Sequence, residues 1–351
     1  MSKKKNKPLD LFKIEVDESL FHPNFKQTII PGNKAVRDVL TQWADGFKDR
    51  DGKLAKEFQT TYNSVFWELY LFNLFKHWGL SDDFRYDAPD FNINEFNGIC
   101  VEAVTASNAL DSDPEWINSG KEPEFINLEN PDEHAKFVKE STIRLANAIF
   151  SKLTKFKKSY AELEHVKSKP FIIALAPFDR PFFYIQTSQA ISLLLYGKWI
   201  RRIDETTGRF ENLDFIQKEN GADINLGIFN NDSCSEISAI IFSNVATFGK
   251  VQAMANKIKP FPAIFQWVRF NKNVFGNPHI GASWGKDYDE SIEDGISILL
   301  NPFADHPVPE DFVKKFQTIH RSANDMDSAD NSLLARMTQR ITLRDDDKNS
   351  I

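Results

Sequence analysis

The pattern of apolar and polar positions predicts a chain in which helices alternate with strands. Helical spacing of apolar residues covers residues 34–46, 54–78, 139–158 and 187–197. Short alternating or continuous apolar runs, typical of strands, cover residues 89–93, 99–104, 171–176, 236–244, 262–270 and 296–300. This alternation predicts an α/β fold with a central mixed sheet flanked by helices.

The two strand-like runs at 89–93 and 99–104 carry the first sign of chemistry. They are joined through Asn97-Gly98, a step that favours a hairpin turn. Because side chains alternate along a strand, burying the apolar residues on one face places Asp90 and Glu102 together on the other. A three-residue loop, residues 95–97, would set these two carboxylates directly opposite each other.

Opposed carboxylates repel, so a bound divalent cation would stabilise this hairpin. Mg²⁺ is the natural candidate, because it takes oxygen ligands from one or two carboxylates and completes its shell with water or phosphate. The alternative is that Asp90 and Glu102 both face water on an exposed sheet.

Glu68 is a third carboxylate in an unusual position. It lies in the apolar segment VFWELYLFNLF and shares its helix face with Phe72 and Phe75. A buried glutamate is rare unless it has a partner, so we expect it either to project toward the strand carboxylates or to reach the helix rim or a core arginine.

Charge and composition narrow the function classes. The chain has 43 Lys and Arg against 50 Asp and Glu, a net charge of −7, which argues against a general polyanion binder. Residues 141–169 reverse this balance, with seven basic and two acidic residues (7 − 2 = +5), and could follow a phosphate backbone. Cys100 and Cys234 make neither a disulfide framework nor a zinc site. No secretory signal or membrane span is apparent, so we expect a cytoplasmic protein.

The order of these elements resembles the PD-(D/E)XK nuclease superfamily, the restriction endonuclease-like proteins. A helical Glu68, then Pro89-Asp90 opening a strand, then Glu102 in an apolar strand match its pattern over residues 54–177. The resemblance implies a restriction endonuclease-like α/β/α core. It also implies that Asp90, Glu102 and the carbonyl of Ala103 bind Mg²⁺, with Mn²⁺ as a substitute, and that Glu68 assists.

The superfamily's motif lysine is displaced in this chain. The pattern asks for Glu-x-Lys, whereas this sequence reads Glu102-Ala103-Val104. Some members supply the lysine from the next helix, and there Lys152 borders the apolar arc, so we expect it to take that role. Lys157 falls near the helix end, where it can snorkel outward. On the same wheel Lys155 and Lys158 point to solvent.

The resemblance implies a metal-dependent nuclease, most simply a DNA endonuclease of restriction or defence type. The expected partner is nucleic acid, DNA rather than RNA, with no membrane contact, and a homodimer or a protein partner is also open. One alternative is a catalytically inactive protein of the same fold that binds nucleic acid or a protein. Another is a soluble α/β scaffold in which Glu68, Asp90 and Glu102 do not meet.

The predicted organisation has three parts. Residues 1–33 form an N-terminal extension, and residues 34–320 form the nuclease-like domain, with its core at 54–177 and an acidic insertion at about 107–135. Residues 321–351 are polar, with Arg336, Arg340 and Arg344 among several aspartates, and we expect them to be disordered or a loose helix.

Overall fold

The computed structural model describes residues 9–110, 112–117, 131–202, 208–273 and 278–341. The α-helices are α1 Pro23–Ile29, α2 Lys34–Ala44, α3 Leu54–Thr60, α4 Tyr62–His77, α5 Pro131–Lys155, α6 Gln189–Tyr196, α7 Phe248–Ile258 and α8 Glu310–Val313. The strands are β1 Phe91–Ile93, β2 Ile99–Ser107, β3 Phe171–Phe178, β4 Lys198–Arg202, β5 Gly208–Asn212, β6 Phe215–Gln217, β7 Asp223–Asn225, β8 Ala239–Phe242, β9 Ala263–Arg269, β10 His279–Trp284, β11 Ser297–Leu300, β12 Thr318–Ser322, β13 Asp325–Ser328 and β14 Leu333–Arg340.

A seven-stranded mixed sheet forms the centre of the molecule, in the order β1-β2-β3-β8-β11-β12-β13. Strands β2, β3 and β8 are parallel, and β1 runs antiparallel to β2. The β3 strand is buried along its whole length, as a parallel strand covered on both faces should be. The predicted α/β fold with a central mixed sheet flanked by helices is confirmed.

Helices cover both faces of this sheet. Helices α2, α4 and α7 pack on one face, in a core rich in aromatic residues that includes Trp43, Phe66 and Trp67. Helices α5 and α6 pack on the other face, against Ile173, Leu175 and their neighbours. Among the helices that the structure describes, none is long and apolar enough to cross a membrane.

Two predicted helix boundaries were wrong. The segment 54–78 is not one helix, because the backbone leaves the helical region at Thr61 and separates α3 from α4. Helix α5 begins at Pro131 rather than at 139, with proline in the first helical position, where its missing N–H costs nothing. The insertion predicted at about 107–135 therefore ends before Pro131. Residues 111 and 118–130 of this insertion lie outside the described residues.

The N-terminal extension is part of the packed structure from residue 9 onward. Phe25 of α1 is fully buried against Phe58, and the side-chain amide of Gln59 donates to the carbonyl of Lys13 at 2.7 Å. Residues 9–33 of the predicted N-terminal extension thus pack on the rest of the fold, and residues 1–8 lie outside the described residues.

The prediction of a disordered or helical tail after residue 321 was also wrong as far as residue 341. Strand β13 closes one edge of the central sheet, and β14 pairs with β9 in a three-stranded sheet of order β10-β9-β14. Residues 342–351, which include Arg344, lie outside the described residues.

Arg336 of β14 explains why this segment folds although it looks polar. Its guanidinium is buried and lies 2.5 and 2.8 Å from the carboxylate oxygens of Glu290. Lys250 of α7, also fully buried, lies 2.7 Å from the same carboxylate, and the hydroxyl of Tyr288 donates to it at 2.7 Å. We call Lys250, Tyr288, Glu290 and Arg336 the buried ion cluster. The cluster joins β14 to α7 through charged side chains, which a sequence pattern would place at the surface.

Candidate active site

The hairpin places Asp90 and Glu102 as the sequence predicts. Phe91 pairs with Val101 and Ile93 with Ile99, so the next position outward sets Asp90 opposite Glu102. The turn between the strands carries Asn97 and Gly98 at positive φ. This register is the one that a three-residue loop implies.

The site lies in a notch at the edge of the central sheet. Strand β1 begins at Phe91, whereas β2 continues to Ser107, so on that side β2 has no strand partner beyond Val101 among the described residues. The Asp90 carboxylate fills the first open position, where it accepts the backbone N–H of Ala103 at 2.7 Å. Asp90 thus continues the hydrogen bonding of the sheet with its side chain.

Glu102 is the most buried of the three carboxylates, with 1% of its surface exposed. Its Oε1 accepts hydrogen bonds from Lys152 at 2.7 Å and from Lys155 at 3.1 Å. Its Oε2 is buried and has no hydrogen-bond partner among the described residues. One oxygen is therefore neutralised by lysines, and the other is enclosed without a partner in the described part of the chain.

Glu68 belongs to α4, which packs on the face of the sheet opposite to α5. The neighbouring indole of Trp67 donates to the carbonyl of Ala174 at 2.9 Å, and Ala174 is the β3 partner of Ala103. This bond pins α4 to the sheet beside the notch. Burial, followed by repulsion from Asp90, raises the pKa of Glu68 to about 8, and attraction to Lys152 opposes the rise.

The pKa of Asp90 is also raised, to about 6. Burial is the main cause and repulsion from Glu102 is the second, while Lys152 and the Ala103 N–H favour the charged form. The three carboxylates predicted from the sequence are therefore brought within electrostatic range of one another and of Lys152.

Lys152 reaches the site as predicted, but the expectation that Lys155 points to solvent was wrong. The two lysines are three residues apart on α5, on one side of the helix, and the half-exposed Lys155 reaches back to Glu102. Burial lowers the pKa of Lys155, but hydrogen bonds to Tyr160 and Glu102 outweigh it and raise that pKa. Lys157 turns outward, as predicted, to pair with Glu236 at 2.7 Å, and Lys158 is exposed.

Sequence reasoning missed the residues that hold Asp90 in place. Arg50 donates to the backbone carbonyls of Asp87 and Asp90 at 3.2 and 3.1 Å. On the other side, Nε2 of His165 lies 2.7 Å from the carbonyl oxygen of Ala88. Both contacts link a side chain that is distant in sequence to a backbone carbonyl. A contact of this kind cannot be recognised from the pattern of side chains along the sequence.

The donor set suits a hard cation such as Mg²⁺. Mg²⁺ prefers one or two carboxylates and completes its shell with water, and Asp90 and Glu102 supply two carboxylates. One of their oxygens, Oε2 of Glu102, is buried without a partner among the described residues. Across the described ranges, no group of three or more His, Cys, Asp or Glu side chains is arranged to hold a metal ion. The oxygen donors that the notch offers are therefore the carboxylates of Asp90 and Glu102.

Comparison with known proteins finds no relative for this chain: no protein-family model, curated protein or solved structure matches it significantly. What the site does must be argued from its own residues.

Proposed function

We propose that this protein hydrolyses phosphodiester bonds in nucleic acid, DNA in preference to RNA, as a metal-dependent endonuclease of restriction or defence type. The observation that supports this most directly is the pairing at the notch. Asp90 lies opposite Glu102, and the Lys152 ammonium lies 2.7 Å from Glu102. Two carboxylates and an adjacent cation are the groups that such a hydrolysis requires. The two buried, free cysteines agree with a cytoplasmic location, which we also propose.

In this proposal Asp90, Glu102 and the carbonyl of Ala103 hold Mg²⁺, with Mn²⁺ as a substitute. When bound, the metal would activate the attacking water and neutralise charge that develops on the phosphate. The unpartnered Oε2 of Glu102 is the natural ligand atom.

The protein's own groups carry the remaining roles. The ammonium of Lys152 would orient the water or stabilise negative charge on the phosphate, and Lys155 adds a second positive charge next to it. Because the pKa of Glu68 is about 8, its carboxyl group holds a proton near neutral pH, before any metal binds. A cation held by Asp90 and Glu102 would favour the charged form of Glu68 and so release this proton.

A second candidate function follows from the same contacts. Lys152 and Lys155 both bind Oε1 of Glu102, and this salt-bridged arrangement is also compatible with a catalytically inactive protein of this fold. Such a protein would bind nucleic acid or a protein partner without cleaving it.

A cleavage assay on the full chain tests the proposal. Supercoiled plasmid, single-stranded DNA and RNA are incubated with Mg²⁺, Mn²⁺ or EDTA, using the wild type and Glu102→Gln and Lys152→Met variants. We expect metal-dependent cleavage that falls by about 10²–10³-fold in each variant. Lys157→Met and Glu236→Gln remove an ion pair of the same type away from the notch and should leave cleavage unchanged.

The outcomes separate the two functions. Cleavage that persists in Glu102→Gln would show that another site, or a contaminant, is responsible. Absence of cleavage together with metal binding that depends on Asp90 and Glu102 would favour a gated enzyme. Absence of both would favour the non-catalytic binding protein.

A further inference from the structure

The three-stranded sheet β10-β9-β14 ends in an open edge. Strand β10 pairs with β9 on one side, and on its other side no strand pairs with it among the residues that the structure describes. A strand in this position presents a row of backbone N–H and C=O groups with which a further strand can pair. The sequence of β10, HIGASW, contains no Lys, Arg, Asp or Glu that would repel such a strand.

The two faces of this sheet differ in their surroundings. On the inner face the ring of Phe265 stacks on that of Tyr288 with 4.4 Å between centroids, and Ala253 of α7 belongs to the same buried cluster. The register of the three strands places on the outer face Ile264, Gln266, Val268, Ile280, Ala282, Trp284, Ala335, Met337 and Gln339. None of these outer-face residues is charged. A partner that complements this face is therefore uncharged and largely apolar.

Strand β10 exposes its outer-face side chains at the open edge. Ile280 and Trp284 leave 76% and 54% of their surface exposed, and Ala282 between them is also exposed. Large apolar side chains exposed beside unpaired backbone groups are typical of a surface that associates with another chain. The edge thus offers both the hydrogen-bonding groups and the apolar contacts that an added strand needs.

The order of residues in β10 points to a second copy of this strand as the partner. Large side chains stand two positions before and after Ala282, and the small residues Gly281 and Ser283 stand one position on either side. In an antiparallel pair centred on Ala282, Ile280 of each copy lies opposite Trp284 of the other, and the two Ala282 side chains face each other. Residues opposite each other share a face, so all of these side chains stay on the outer face. An aromatic residue opposite a β-branched one is a stabilising cross-strand pair.

Strand β10 is held in shape by its own chain. The indole of Trp267 on β9 donates to the hydroxyl of Ser283 at 3.1 Å. A Cβ at Gly281 would lie 2.4 Å from the same indole, so this ring packs directly on the backbone of Gly281. Both contacts lie on the inner face, so they fix β10 on β9 while Ile280 and Trp284 stay exposed.

We propose that β10 is a dimer interface, at which two copies of this chain pair antiparallel about a two-fold axis through Ala282. The two small sheets then form one sheet of six strands. Ile280 and Trp284 of both copies would together bury on the order of 500 Å², to which the paired backbones add. An interface of this kind lies at the weak end, below about 1,200 Å², so we expect a reversible dimer with a Kd of roughly 10–100 µM. It does not depend on the proposed nuclease activity.

Sedimentation equilibrium on the full chain, from about 1 to 300 µM, tests the proposal, and the wild type should pass from monomer to dimer over this range. Ala282→Glu and Ala282→Lys each place like charges opposite each other across the two-fold axis. Each variant alone should therefore self-associate at least about tenfold more weakly. An equal mixture of the two variants should dimerise to within about threefold of the wild type, because opposite charges then face each other. Gln339→Glu, on β14 two strands from the edge, should leave the Kd unchanged.

Amide hydrogen exchange gives the second readout. In the wild type the amides of residues 279–284 should exchange more slowly at about 200 µM than at about 1 µM, and in Ala282→Glu they should not. If the Ala282 variants do not fold, Ile280→Lys replaces them and should weaken self-association by the same factor. The proposal is overturned if the wild type stays monomeric at about 300 µM or if the charged variants dimerise as well as the wild type. It is also overturned if the mixture of Ala282 variants dimerises no better than either variant alone.

Discussion

The buried ion cluster allows a quantitative test of how the C-terminal strand is held. Glu290 is its only anion among the described groups, and it faces two cations, Lys250 and Arg336, all three with 1% or less of their side chains exposed. Burial alone would raise the pKa of Glu290, but Arg336 and Lys250 hold that pKa below its ordinary value. Replacing it with glutamine leaves two buried positive charges without a counter-charge.

The expected cost follows from the contacts that are lost. Glu290 accepts from Lys250, Arg336 and Tyr288, and a glutamine can satisfy these donors with only one neutral oxygen. Breaking a buried ion pair from one side typically costs about 3–5 kcal/mol, so we expect Glu290→Gln to lower the free energy of unfolding by that amount. Lys250→Met leaves a balanced Glu290–Arg336 pair and should cost less.

Urea denaturation at pH 7, followed by tryptophan fluorescence, measures these differences. Glu310→Gln breaks an exposed pair with Arg321 and should change the stability by at most about 1 kcal/mol. Because the pKa of Glu290 is lowered in the fold, its stabilisation is present above the ordinary glutamate pKa and is lost as the pH falls below it. The wild type and Glu290→Gln should therefore converge in acid. A Glu290→Gln cost no larger than that of Glu310→Gln would refute the argument.

Two further predictions concern the backbone and Glu68. Gly295→Ala should lower the free energy of unfolding by more than about 2 kcal/mol, because φ is +73° and a Cβ would lie 2.0 Å from Cγ2 of Val245. Gly221 also has a positive φ, +82°, but no atom lies within 4 Å of its Cβ position. Gly221→Ala should therefore cost only about 1 kcal/mol. Equal midpoints of urea unfolding for the two glycine variants would contradict this. Since the pKa of Glu68 is raised to about 8, the wild type loses stability as the pH rises from about 4.5 to 8. In metal-free buffer at pH 8.5 the Glu68→Gln variant should therefore be more stable than the wild type by roughly 1–3 kcal/mol. At pH 4 the two proteins should be almost equally stable. A gain that does not vary with pH would show that packing, not charge, is responsible.

The sequence predicts this fold well where apolar periodicity decides the structure. The hairpin register follows from alternation and the Asn97-Gly98 step, and the buried β3 strand follows from its continuous apolar run. The tail could not be predicted in this way, because the partners of Arg336, the carboxylate of Glu290 and the carbonyl of Val245, lie 46 and 91 positions earlier in the chain. A charged residue whose counter-charge is distant in sequence looks like a surface residue.

The same division holds at the notch. Glu68, Asp90 and Glu102 stand out because each is a carboxylate in an apolar setting, and Lys152 follows from its position on the helical wheel. Lys155 was misplaced because a wheel gives the direction of a Cβ and not the reach of a four-carbon side chain. What these groups do chemically remains a prediction that the cleavage assay tests.

Both edges of the central sheet are built to resist pairing with another molecule. At one edge β1 is only three residues long, and Asp82 bridges Ile93 and accepts the N–H of Asn92, so few free backbone groups are left. At the other edge β13 reads DMDS, with Asp325 and Asp327 exposed. Short strands and edge charges are the means by which natural proteins avoid edge-to-edge aggregation. The chain can therefore keep an open notch beside β1 without becoming a template for fibril growth.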